Sequence, residues 1–202
     1  MLKLEKIIDF FIETESLKKT FRYSTCPEYV RDRSADHSWK AAFIALVISE
    51  EVKGIDSQRA VQLLLVHDLA ESITGDIDAY RIKLGEITKS EKQRTEEDAM
   101  ASIKEKLPAG SFLYNLWKEY EEGATEESKY ARALDKIETL IHLLSVNFAS
   151  EKDDQRAELV AKYADEAVNA FPPLKPLLEA VKGRIRAMFK EKGFQWKEHY
   201  EI

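Results

Sequence analysis

The chain has 202 residues, 44% of them apolar, with only seven glycines and five prolines and a formal charge of -6. That length and apolar share suffice to bury a core in one domain, and the abundance of Ala, Leu, Glu and Lys over Gly and Pro favours helix. The negative balance excludes a general nucleic-acid polymer binder or a membrane-surface protein, since both need an excess of Lys and Arg. The single cysteine, Cys26, has no partner for an intramolecular disulfide, so nothing points to an oxidising compartment. No stretch approaches the roughly 20 apolar residues of a membrane span. The first ten residues carry acids where a signal peptide has its apolar core. A soluble, cytoplasmic, all-α protein is expected.

In chain order, Leu4, Ile7, Ile8, Phe11 and Ile12 recur three and four apart and predict an amphipathic first helix. Thr20 to Ala35, with Pro27 and several charges, reads as loop. A second helix is expected from about Asp36 through Trp39, Phe43 and Val47 to Glu51, stopped by Gly54. A third begins after Asp56 and Ser57, whose oxygens suit an N-cap, and reaches about Glu71. Ser72 to Asp78 then reads as a turn in which Gly75 is free to take a positive φ. Ser90-Glu91-Lys92-Gln93 has the form of a capping box, predicting a helix to Lys106 that ends at Pro108. Helices are also expected over 112–120 and 126–148, the latter with Leu134, Ile137, Ile141, Leu144 and Phe148 on one stripe. Two more should span 155–171 and 174–190, divided by Pro172 and Pro173.

The most informative feature is His67-Asp68 at the end of the apolar run Leu63-Leu64-Leu65-Val66. A buried unpaired carboxylate costs several kcal/mol unless a partner or a metal compensates it. His37 opens one helix, His67 and Asp68 close another, and Asp135 sits near the apolar stripe of a third. Imidazole nitrogen and carboxylate oxygen without a thiolate cluster suit Mn, Fe, Co, Ni or Zn and exclude a structural zinc knuckle. Glu71, at i+4 and i+3 from His67 and Asp68, faces the same site if the helix continues that far, and Asp76 follows Gly75. Taken singly, each of these is more often a hydrogen-bonded core or cap residue; the order His, His-Asp, Asp is harder to read that way. His142, seven residues after Asp135, shares its helical face but reads better as a packed core histidine than as an outer partner, and His199 lies in a polar tail. Core or interface packing explains Trp39, Trp117 and Trp196.

The segments Ala35-Asp36-His37-Ser38, Val66-His67-Asp68-Leu69-Ala70-Glu71, Thr74-Gly75-Asp76-Ile77 and Ala133-Leu134-Asp135-Lys136 together resemble the H…HD…D pattern of the HD-domain phosphohydrolase superfamily. With the HDxxE and TGD extensions they resemble its 5'-deoxynucleotidase branch, from about Leu17 to Leu144. The resemblance implies a single HD-domain helical bundle over 1–202, with a catalytic core of about 17–148 and a C-terminal helical extension of about 151–202. It implies one divalent cation on His37, His67, Asp68 and Asp135, with Mn or Co favoured and Mg, Zn, Fe or Ni open. The implied reaction is hydrolysis of deoxyribonucleoside 5'-monophosphates by metal-activated water. Glu71 would orient or deprotonate that water and Asp76 would protonate the leaving oxygen. Arg22, fifteen residues before His37, matches in spacing an arginine that contacts the nucleotide; Tyr23 stands beside it where the bacterial enzyme has Trp. The implied partners are a small nucleotide substrate and a second copy of the chain. Two alternatives stay open: another HD phosphohydrolase acting on a nucleoside triphosphate, cyclic phosphodiester or alarmone, and a metal-stabilised nucleotide-binding module without turnover.

Overall fold

The computed structural model describes residues 2–107, 110–148 and 153–202. Eleven α-helices occupy these residues: α1 Leu2–Thr14, α2 Ser34–Ile48, α3 Ser57–Val66, α4 Glu71–Thr74, α5 Ala79–Lys83, α6 Lys89–Lys106, α7 Gly110–Glu122, α8 Glu126–Ser145, α9 Asp154–Lys162, α10 Asp165–Ala170 and α11 Lys175–Glu191. Among the described residues the extended pairing is one isolated antiparallel bridge, Phe21 to Arg33, which closes the loop before α2. The fold is all-α, as the composition and periodicity require.

Several boundaries depart from the periodic reading, each for a local reason. Helix α3 starts as expected, with the Asp56 carboxylate accepting from the Arg59 amide, but it stops at Val66 instead of reaching Glu71. Beyond it the chain tightens to i+3 hydrogen bonds, Leu69 N to Val66 O and Glu71 N to Asp68 O, and a new one-turn helix opens at Glu71. Glu71 therefore stands in a first turn, where an acid is favoured, not in a last turn opposing the dipole. Ser72 to Thr74 are helical, and the reversal is confined to Gly75, whose φ of 72° suits a residue without Cβ. The capping box lies two residues earlier than expected: the Thr88 hydroxyl and the Glu91 side chain satisfy each other's backbone amides. Helix α6 ends at Lys106; Pro108, the expected stop, lies outside the described residues, as does the start of the extension at 151. The helix expected over 155–171 is two helices with a break at Tyr163 and Ala164.

Helix α8 is the axis of the molecule, packed on α2, α3, α7, α10 and α11. Tyr130, Ala131, Ala133, Leu134, Ile137 and Leu140 are fully buried along it. Tyr130 donates its hydroxyl to the Ala45 carbonyl at 3.0 Å and meets Phe171 edge-on. Helix α2 approaches α8 closely because its inner face is small, with Ala41, Ala42 and Ala45 buried. Its outer face exposes Trp39, Phe43, Leu46 and Val47, so Trp39 is not a core residue, whereas Trp117 is. The predicted stripe on α1 is real in spacing but lies at the surface: Leu4, Ile8, Phe11 and Ile12 are exposed and Phe10 is the residue that enters the core. No helix among the described residues is long and apolar enough to cross a membrane.

The C-terminal tail folds back on α11 through Phe189, Trp196 and Tyr200. Lys182, 2% exposed, secures it, with Nζ 2.6 Å from Asp165 Oδ1 and donating to the Tyr200 carbonyl at 2.6 Å. Breaking a buried pair strands the remaining charge, so Lys182→Met should destabilise by about 3 kcal/mol. Urea unfolding checks this, and an unchanged midpoint would show that neither the ion pair with Asp165 nor the bond to the Tyr200 carbonyl contributes to stability.

Candidate metal centre

Three helices of the α8 kernel deliver the central side chains. His37 comes from the first turn of α2, His67 caps the C-terminus of α3, and Asp135 projects from the middle of α8. One ligand atom of each lies within 4.8 Å of the others. His37 Nε2 is 3.0 Å from Asp135 Oδ1, and His67 Nε2 is 3.9 Å from the same oxygen. Asp68 stands at the rim of this group, Oδ1 3.2 Å from His67 Nε2 and Oδ2 3.9 Å from His37 Nε2.

This donor set fits a divalent ion. His67 Nδ1 donates to the Leu64 carbonyl at 2.7 Å, which leaves Nε2 as a lone-pair donor. His67 Nε2 and Asp68 Oδ2 are buried without a hydrogen bond, a costly state that coordination would relieve. The remaining ligands are braced from behind. His37 Nδ1 hydrogen-bonds the buried Glu138 carboxylate, and Asp135 Oδ2 accepts from the Tyr120 hydroxyl at 2.5 Å and lies 2.8 Å from Lys136 Nζ.

The two imidazoles are driven apart electrostatically. Burial and Arg22 lower the pKa of His37, yet the Asp135 and Glu138 carboxylates on its two nitrogens carry it up to about 9. Burial dominates at His67 and lowers it despite Asp68 and Asp135. Burial would raise Asp135, but Lys136 and the two imidazoles hold its carboxyl well below the usual range. A proton on His37 thus supplies positive charge in the metal-free protein.

His67, Asp68 and Asp135 line a cavity of about 880 Å³ that reaches Phe148, Arg156 and Tyr163, with His37 buried behind them. Glu71, 3% exposed, accepts from the Ser34 hydroxyl at 2.5 Å. Burial, then Asp68 and Asp76, push its carboxyl up to about 8. Asp76 also lines the cavity, with Oδ2 lacking a hydrogen bond. Its pKa is raised to about 6, chiefly by burial and against the pull of Arg22. Arg22 gives Nη2 to Thr139 Oγ1 at 3.2 Å, while its buried Nη1 makes no hydrogen bond. Tyr23 beside it takes a φ of 61°, a conformation costly for a bulky residue, and lays its ring on His142 at 5.2 Å. His142 is thereby a support of Tyr23, with Nε2 on the Val30 carbonyl at 2.7 Å, and lies apart from the ligand group. His199 is exposed on the tail.

All eight predicted site residues surround one place; the sequence reading missed Glu138, Ser34, Tyr120 and Thr139. Glu138 carried a usable signal, an acid one turn from Asp135 within a buried run, and Ser34 is one turn before His37. Removing such a brace typically costs about 10–100-fold in metal affinity, so Glu138→Ala should bind divalent ions that much more weakly by calorimetry with helicity retained. Unchanged affinity would make Glu138 a packing residue only. The raised groups also fix a pH trend for the metal-free protein. Glu71 stabilises fully below 4.5 and loses this as pH rises through about 8; His37 does so from 6.5 through about 9. Denaturant unfolding in a chelator should therefore give lower stability at pH 9 than at pH 6, and a flat or rising profile would contradict it.

A model of the HD domain family matches residues 14–173. The chain is 38% identical over 122 residues to the 5'-deoxynucleotidase HDDC2 of Homo sapiens, covering 59% of this chain and 54% of that protein. It is 34% identical over 143 residues to the Danio rerio HDDC2, covering 70% and 66%. The chain thus spans about half to two thirds of the length of these curated relatives. Among solved structures, a predicted metal-dependent phosphohydrolase from Magnetospirillum magnetotacticum MS-1 superposes with a TM-score of 0.66 at 25% identity, covering 94% of this chain and 92% of that one. A conserved hypothetical protein from Pyrococcus furiosus shares the fold with a TM-score of 0.68 at 23% identity, covering 87% and 99%. By the span of that family match and by its buried His, His-Asp, Asp cluster, the chain belongs to the HD domain family.

Proposed function

We propose that the protein is a metal-dependent phosphomonoesterase of the 5'-deoxynucleotidase type, releasing phosphate from deoxyribonucleoside 5'-monophosphates. The observation that carries this reading is the meeting of two imidazoles and two carboxylates, of which His67, Asp68 and Asp135 line a cavity also lined by Arg22, whose buried Nη1 makes no hydrogen bond. The similarity to 5'-deoxynucleotidases supports the substrate class. His37, His67, Asp68 and Asp135 would hold the ion, Mn or Co in first place. When bound, the ion supplies positive charge that acidifies water, neutralises phosphate and offsets the carboxylate repulsion raising Glu71.

The chain's own residues do the rest. Arg22, fixed by Thr139, binds phosphate oxygens through its free edge, and Tyr23, held by His142, borders the sugar. Ser34 pins one Glu71 oxygen, so the other is set to take a proton from the attacking water. As the water oxygen bonds to phosphorus, the bond from phosphorus to the ribose oxygen breaks, and Asp76 delivers a proton to that oxygen. Burial, which raises the Asp76 pKa, favours the protonated form that this step needs. One HD domain over 1–202, a cytoplasmic setting and a homodimer complete the proposal; the exposed apolar residues of α1 and α2 support self-association.

Phosphate release from matched ribo- and deoxyribonucleoside 5'-monophosphates, assayed with Mn, Co, Mg and Zn, tests the reading and should favour the deoxy series. Equal rates on both sugars would remove the deoxy assignment, activity confined to triphosphates would place the chain elsewhere among HD phosphohydrolases, and binding without release would make it a binding module. In the same assay Asp68→Ala should lose metal and activity together. Glu71→Gln should keep metal and lose about 10²–10⁴-fold in turnover; the reverse pattern would overturn the roles.

A further inference from the structure

We propose that Lys92 is a second phosphate-binding cation of this cavity, held in place by Glu96. The inference rests on the phosphomonoesterase reading and adds to it a residue on a different wall. Lys92 lies near the start of α6, which packs on α4, the helix opened by Glu71. It lines the same cavity as His67, Asp68, Glu71 and Asp76. Its Nζ is 3.0 Å from Glu96 Oε1, an i,i+4 pair in which Glu96 is buried while 29% of the Lys92 side chain stays accessible. An ammonium carries three N–H donors, so engaging Glu96 leaves others for a ligand.

Three other cations of the cavity have protein partners of their own. Lys136 is paired with Asp135 at 2.8 Å, Arg132 donates to the Tyr120 and Glu121 carbonyls, and Arg156 donates to Cys26 Sγ and Thr25. The fields of both Arg22 and Lys92 pull the Asp76 carboxyl down against its burial. The place where the leaving oxygen is expected is therefore within electrostatic reach of one fork and one point charge. A phosphate monoester is close to a dianion near neutrality. It enters a cavity lined by nine carboxylates, Asp68, Glu71, Asp76 and Asp135 among them, and a cation on the α6 wall offsets part of their repulsion. Lys92 supplies that charge, and its pairing with the buried Glu96 fixes where the charge sits.

The test measures inorganic phosphate binding to the metal-loaded protein by calorimetry, with metal content measured in parallel. Lys92→Gln should bind phosphate about tenfold or more weakly, as expected for a lost charge-assisted hydrogen bond, and Lys92→Arg should stay close to wild type, with metal content unchanged in both. Because Lys92→Gln strands Glu96, the double variant Lys92→Gln/Glu96→Gln, which removes both charges, should show the same loss if the single variant does not fold. Wild-type phosphate affinity in Lys92→Gln or in the double variant, or a loss that follows metal loss, would overturn the proposal. A wild-type protein that binds phosphate through Lys92 yet hydrolyses no nucleoside 5'-monophosphate would leave the Lys92 site standing and defeat the proposed activity.

Discussion

The structure depends on one fully buried imidazole. His37 bonds Asp135 through one ring nitrogen and Glu138 through the other, so a single side chain of α2 is clamped by two carboxylates of α8. Burying such charges is stabilising only when each is paired, and here the pairing fixes the register of α2 on α8. The alanines of α2 let the helices approach, and the ionic contact sets where they stop. His67 and Asp68 then arrive from α3 with donor atoms that no protein group satisfies. The core is thus complete in packing and incomplete in charge, which is the physical condition for a metal centre.

Much of this was legible in the sequence. The all-α class followed from periodicity, and His37, His67, Asp68 and Asp135 stood out because chemistry-bearing residues interrupt apolar helices. What escaped was of two kinds. Glu138 and Ser34 act on partners 101 and 37 residues away, and no local pattern encodes such pairings. Helix ends escaped where hydrogen bonding shifts without a glycine or proline to announce it, as at Val66 and at the break near Tyr163. Tertiary demand decides the first of these: ending α3 at Val66 and restarting at Glu71 brings Glu71 to Ser34. The stripe on α1 shows the opposite limit, since periodicity reveals an apolar face but not what it covers.

Acids gather in the cavity around the centre, where burial and mutual repulsion raise Glu71 and Asp76 toward the range in which a carboxyl can exchange a proton near neutrality. Two cations of the cavity are each braced by a neighbour, Arg22 by Thr139 and Lys92 by Glu96. Such bracing reduces the ordering needed when an anion arrives. The strained backbone at Tyr23 belongs to the same economy of position, keeping its ring on His142 beside the arginine.

The most direct measurement is X-ray absorption spectroscopy of the protein loaded with one equivalent of cobalt. The expected shell contains two imidazoles and carboxylate or water oxygens, with no sulfur, and loses one imidazole in His67→Ala. A spectrum with no imidazole scattering, or one unchanged by that substitution, would contradict the assignment of the buried histidine and aspartate cluster as the metal centre.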